Sequence, residues 1–300
     1  MPLTPQQAFV DCPHAAAEPG GIRRMAYWQW ADSACASPET VLVCVHGLTR
    51  QGRDFDVLAQ AMAPHMTVVC PDVAGRGDSD WLADPMGYQV GTYVQDMLAL
   101  LAQLQAKTVY WVGTSMGGLI GMVMASLPNS PIQRLVLNDV GPSITKSSLL
   151  RIAEYVGAPL RFDSVQQGAD YMRAVAPGFG PHTDAEWLAL SAPMLRPKDG
   201  AWGLHYDPRI AAPLAFLQLP EVDELLAQAE AATWAAYDAI RARTLVLRGA
   251  VSDLLTAETV REMGQRGPQA RAVEVAGVGH APTLVAADQV ALVRNFLLEA

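Results

Sequence analysis

The chain of 300 residues predicts an α/β fold: a mostly parallel central sheet with helices on both faces and an inserted helical cap. Three observations carry that prediction. Short β-prone runs alternate with helix-period segments through residues 23–137 and again through 244–297, the rhythm of strand–helix–strand crossovers. Several of the runs are apolar throughout, as strands covered on both faces require. Between the two blocks, residues 144–220 hold helical pieces, aromatics and many prolines but no convincing apolar strand. The expected organisation is a core of residues 1–142 and 221–300, with 143–220 as the cap.

The elements follow in order. Residues 23–30 read as an early strand, and 41–45, Val-Leu-Val-Cys-Val, as a central one. Phe55, Leu58 and Met62 recur at helical spacing, so 54–63 is a helix stopped by Pro64. A strand at 66–70 leads into a Gly/Asp loop at 72–80, and 91–104 suits a helix. Residues 108–112 form the next strand and 116–127 a helix of small and apolar residues. Strands follow at 135–137, 244–247 and 272–275, with a helix from 256 to about 263. Val290, Val293 and Leu297 mark a closing amphipathic helix. Residues 108–133 carry no charge, which raises the question of a membrane span. The interrupting glycines and prolines favour a buried strand, a turn and a buried helix, with Gly117 and Gly121 packing helix against sheet.

The junction at 113–117 reads Gly-Thr-Ser-Met-Gly. G-x-S-x-G between strand and helix is the nucleophile-elbow pattern, a tight turn that lifts the serine hydroxyl clear of the sheet. Ser115 is therefore the candidate nucleophile. A serine hydroxyl needs a base within hydrogen-bond reach and a third group to orient that base. For an elbow serine the partners follow in the order serine, acid, histidine. Of the histidines, His182, His205 and His280 lie downstream. His280 follows the last strand among small residues and is the expected base; His182 and His205 read as surface or lining of the cap. Asp253, just past the 244–247 strand, is the expected acid, preferred to its rival Asp139 after the 135–137 strand. The backbone N–H groups of Met116 and of Leu48, in the His46-Gly47-Leu48 loop, are the expected oxyanion donors. His46 precedes the nucleophile and is read as a brace for that loop. Phe179, Trp187, Trp202 and Tyr206 are candidates for the substrate pocket.

The formal charge of −9 and the absence of a basic cluster disfavour nucleic acid and anionic membranes as partners. A 51% hydrophobic content with 17% charge excludes a disordered chain. Cys12, Cys35, Cys44 and Cys70 form no C-x-x-C motif or regular framework, and the N-terminal stretch from Pro2 through Pro13 has no apolar signal region. Both point to a reduced, cytoplasmic chain. No Walker motif, dinucleotide fingerprint or metal-ligand cluster is present, so neither metal nor cofactor is expected. The Arg76-Gly77-Asp78-Ser79 string is read as loop shaping, not as an adhesion motif.

Together His46-Gly47, the 72–79 loop, Gly113 to Gly118, Asp253 and Gly279-His280 resemble the α/β-hydrolase superfamily across the whole core. The resemblance implies hydrolysis of esters, thioesters, lactones or amides, or of C–C bonds, without a cofactor. The expected activity is that of a serine carboxylesterase on small to medium esters, working through an acyl-enzyme. A C–C hydrolase of ring-cleavage products or a lactonase is the alternative, with Arg151, Arg161 and Arg173 available for a substrate carboxylate. A non-catalytic binding protein on the same fold is a third. Ser115 argues against the epoxide hydrolases and dehalogenases of this fold, which use an aspartate nucleophile. The sequence leaves open whether the chain forms a homo-oligomer.

Overall fold

The computed structural model describes residues 3–13, 22–32, 34–35 and 37–299. The signal-peptide reading rests partly on Pro2, which lies outside them. The first block runs β1 (Gln6–Cys12), β2 (Arg23–Trp30), β3 (Ser37–Val45), α1 (Asp56–Met62), β4 (Met66–Pro71), α2 (Val90–Leu104), β5 (Thr108–Thr114), α3 (Met116–Ser126) and β6 (Ile132–Asn138). An inserted segment follows, with α4 (Lys146–Tyr155), α5 (Val165–Val175), α6 (Asp184–Ser191), β7 (Leu195–Lys198) and β8 (Ala201–Leu204). The chain returns through α7 (Val222–Ala239), β9 (Arg243–Gly249), α8 (Ala257–Met263), β10 (Arg271–Val275) and α9 (Ala287–Leu298).

Eight strands make one sheet in the order β1-β2-β4-β3-β5-β6-β9-β10. From β4 to β10 every pairing is parallel; β2 joins β4, and β1 joins β2, antiparallel. The period of two along β3 sorts its side chains between two cores. Val41, Val43 and Val45 face a cluster that includes Met97, Ile120 and Tyr237, while Leu42 and Cys44 face one that includes Leu58, Met62, Val293 and Phe296. The sheet is thus covered by α2, α3 and α7 on one face and by α1 and α9 on the other. Trp111 is fully buried and donates its indole N–H to the Gly117 carbonyl, so α3 lies directly on β5. Among the described residues no helix is long and apolar enough to cross a membrane.

Three features depart from the sequence reading. β1 is short of apolar residues, because half of it faces solvent at the sheet edge. α7 has 18 residues, of which Val222, Trp234 and Tyr237 are buried; so sparse an apolar face leaves little periodic signal. The inserted segment contains the antiparallel hairpin β7–β8, whose four-residue strands, only half buried, have no continuous apolar run. Its helices start on side-chain caps: Thr145 for α4, Ser164 for α5, and a Thr183–Glu186 capping box for α6.

Candidate active site

Ser115 sits between β5 and α3 at φ +52°, ψ −116°, a conformation that costs a non-glycine residue energy and persists only when its surroundings impose it. They do so here. A Cβ at Gly113 would meet the Gly117 carbonyl, and one at Gly117 would meet the Val45 carbonyl. The strand, turn and helix are therefore packed backbone to backbone. Ser115 N–H donates to the Asn138 carbonyl at 3.0 Å, while its own carbonyl accepts from Gly118 N–H.

His280 lies on the loop after β10. Its Nε2 is 2.9 Å from Ser115 Oγ and its Nδ1 is 2.7 Å from Asp139 Oδ2. Asp139 is fully buried at φ +55°. Its Oδ1 accepts from Gly249 N–H at 2.8 Å, and its Oδ2 also accepts from Ser252 Oγ at 2.6 Å. The carboxylate thus has donors on both oxygens besides the imidazole, and they hold it facing Nδ1.

Asp253 is elsewhere, which corrects the expectation from the sequence. Its side chain is 50% exposed and is held by Arg151, whose Nε and Nη2 donate to it at 2.7 and 2.9 Å. The physical reason is the turn just before it. Ser252 Oγ accepts from Leu254 and Leu255 N–H while donating to Asp139, so Ser252 points inward and its neighbour outward. The loop after β9 supplies hydrogen-bond donors to Asp139 instead of a carboxylate to His280. Register carried the missed signal. Thr114 pairs with Asn138, so the residues just beyond them, Ser115 and Asp139, end adjacent strands at the same level.

Asn138 carries no motif signal in the sequence. Buried at the end of β6, its amide donates to Thr114 Oγ1 at 2.9 Å and to the Pro282 carbonyl at 2.8 Å, tying β5, β6 and the His280 loop together.

The loop after β3 runs beside the elbow: a Cβ at Gly47 would lie 3.7 Å from Ser115 Cβ. His46 is fully buried, and burial pushes its ring down to about 3. The neutral ring donates from Nδ1 to the Gly47 carbonyl at 2.7 Å and accepts from Val73 N–H at Nε2. With that carbonyl anchored, a trans peptide directs Leu48 N–H the opposite way. Met116 opens α3, where the first N–H groups have no carbonyl one turn back.

The cleft above Ser115 is walled on the inserted side by Ile152, Tyr155, Met172, Val175, Phe179 and Leu190, with Thr49, Thr114 and Thr283 adding hydroxyls. Of the aromatic candidates, Phe179 lines it. Tyr206 lines a smaller adjoining cavity that shares Thr49, Tyr155, Met172 and Val175. Trp187 is buried behind Phe179, stacked at 6.1 Å between centroids. Trp202 pairs through its backbone with Phe162 and reaches neither cavity. Arg50 joins the two sides: it is paired with Asp54, donates to the Leu190 carbonyl at 2.8 Å and lies over the Phe179 ring. His182 bonds to Thr283 Oγ1 at 2.8 Å, and His205 lies 3.4 Å from Asp78, so neither is engaged with Ser115. Arg161 and Arg173 do not line the cleft; Arg151 does, at its rim with Asp253.

Comparison with known proteins agrees with this architecture. The model of the alpha/beta hydrolase family matches residues 42–292, and the chain belongs to that family. It is 49% identical over 300 residues to a 3-hydroxybutyrate-oligomer hydrolase of Cupriavidus necator, covering 99% of each chain. An esterase of Mycobacterium tuberculosis is 25% identical over 279 residues, 90% of this chain and 84% of its own. An alpha/beta hydrolase of Novosphingobium aromaticivorans superposes with a TM-score of 0.81 at 32% identity, covering 98% of both chains.

Proposed function

We propose that this member of the alpha/beta hydrolase family is a serine ester hydrolase whose substrates are short linear hydroxyacid esters of the 3-hydroxybutyrate type. The observation that carries the reading is the hydrogen-bonded line from Ser115 through His280 to Asp139 at the floor of the cleft. The substrate class is supported by the 49% identical relative, which is a 3-hydroxybutyrate-oligomer hydrolase. The cleft itself fits such a chain: apolar walls for methyl and methylene groups, threonine hydroxyls for ester oxygens.

In this reading Ser115 Oγ attacks the ester carbonyl and passes its proton to His280 Nε2. Asp139 holds the ring through Nδ1 and stabilises the imidazolium. The tetrahedral oxyanion accepts from Leu48 and Met116 N–H, with the N-terminal end of α3 adding favourable potential. As the C–O bond breaks, His280 gives the proton to the leaving alkoxide oxygen, which departs as the alcohol. A water, deprotonated by His280, then attacks the acyl-Ser115 ester, and collapse of that adduct frees the acid and restores the serine.

The test is incubation of the purified protein with the dimer and trimer of 3-hydroxybutyrate, with p-nitrophenyl butyrate, and with a coloured ring-fission dienoate. Release of 3-hydroxybutyrate and p-nitrophenol, with the dienoate left intact, is the expected result. Cleavage of the dienoate alone would replace the reading with C–C hydrolysis.

A further inference from the structure

The Gly75-Arg76-Gly77 string contains a side chain that the reaction above does not use. Gly75 and Gly77 sit at φ +81° and +51°, and between these two turns Arg76 points into the protein with no solvent exposure. Among the described residues its guanidinium meets no carboxylate. Nε donates to the Leu48 carbonyl at 2.8 Å, and Nη1 donates to the Ala74 carbonyl at 2.6 Å and the Tyr93 hydroxyl at 2.9 Å. Nη2 lies 3.7 Å from the Met116 sulfur. The rings of Tyr88 and Tyr93 flank the group at 5.5 and 5.2 Å. A buried charge without a counter-ion is costly to keep, so its placement needs a reason.

Leu48 and Met116 are the two residues whose N–H groups would hold the oxyanion. We infer that Arg76 is a positioning residue for the oxyanion hole: it fixes both residues from behind and lends an uncompensated positive charge to the anion that forms there. This rests on the serine-hydrolase reading of Ser115. The geometry acts in two ways. His46 anchors the carbonyl before Leu48 N–H and Arg76 anchors the carbonyl after it, so the donor hangs between two fixed points. The charge is felt through a dry interior, where it favours the anionic adduct over the neutral ester. An interaction of that kind changes kcat and leaves KM nearly alone.

The experiment compares wild type, Arg76→Met and Arg76→Lys in p-nitrophenyl butyrate turnover, inhibition by an alkyl boronic acid, and thermal midpoint. The boronate forms a tetrahedral anion on the serine and so reads the hole directly. Arg76→Met should lower kcat by about 10²-fold, the size of a lost oxyanion donor, and weaken the boronate by a similar factor with KM little changed. Arg76→Lys, which keeps charge but not the fork, should fall between. If the methionine variant does not fold, the lysine variant carries the test. A role in folding alone would lower the thermal midpoint without matched losses in kcat and boronate affinity, and that result overturns the inference. So does wild-type kcat and boronate affinity in both variants. A wild-type protein inert to the ester and to an active-site phosphonate would instead overturn the hydrolase reading, and this inference with it.

Discussion

The loops that leave β6 and β9 lie side by side at the carboxyl edge of the sheet, and each carries an aspartate. Asp139 is fully buried, holds a left-handed backbone and receives Gly249 N–H, Ser252 Oγ–H and His280 Nδ1–H. Asp253 is half exposed and meets Arg151 at the rim of the cleft. Their parent strands are paired neighbours in the sheet, yet one aspartate is built into the sheet and the other faces solvent. The difference teaches that a loop position after a strand does not make a carboxylate an acid partner. What matters is which loop ends level with the nucleophile and which supplies hydrogen-bond donors to hold a charge away from water.

The comparison can be broken at several points. Ser115→Ala should abolish turnover and phosphonate labelling, and undiminished labelling would remove the reference against which both loops are judged. Asp139→Asn should lower kcat by about 10⁴-fold, as when the orienting acid of such a triad is neutralised; steady-state kinetics that showed the larger loss for Asp253→Asn would reverse the assignment. Ser252→Ala withdraws one donor to a buried carboxylate and should lower kcat about tenfold, the scale of a hydrogen bond to a charged group.

The loop after β3 sharpens the contrast, because its buried ring is neutral. With a folded value of about 3 against 6.5 for the free side chain, the unfolded chain binds the His46 proton first as acid is added. Its contribution to stability is present above about 6.5 and is lost as pH falls toward 3. Asp72 runs the other way. Burial raises its carboxyl to about 7 from 3.8, so its contribution is full below 3.8 and is lost as pH rises through about 7. Urea unfolding of wild type and His46→Gln at several pH values separates the two. The stability difference should shrink as pH drops below 6.5, and a pH-independent difference would contradict a neutral buried ring. The smallest effect belongs to the exposed pair: Asp253→Asn should change kcat by less than about fivefold, since such ion pairs contribute little.

Much of the fold was legible because its signals are local. The runs at Val41–Val45 and Leu245–Leu247 are buried strands, and Gly113 is demanded by the Gly117 carbonyl one turn on. β1, α7 and the β7–β8 hairpin were not legible. Each buries only part of its surface, so the pattern that burial imprints on sequence is weak. Ser115 and His280 could be named for the same local reasons: a strained turn between strand and helix, and a small-residue loop after the last strand.

The sequence by itself determined the layered α/β architecture, the elbow and which histidine lies 2.9 Å from Ser115. Only the tertiary structure decided that Asp139 rather than Asp253 reaches that histidine, that Phe179 lines the cleft while Trp187 packs behind it, and that Arg76 is buried against Leu48 and Met116. These depend on strand register and on the direction in which a loop side chain turns. Both are set by contacts between residues far apart in the chain, such as Asp139 with Ser252 and Arg76 with Leu48, and no local spacing encodes them.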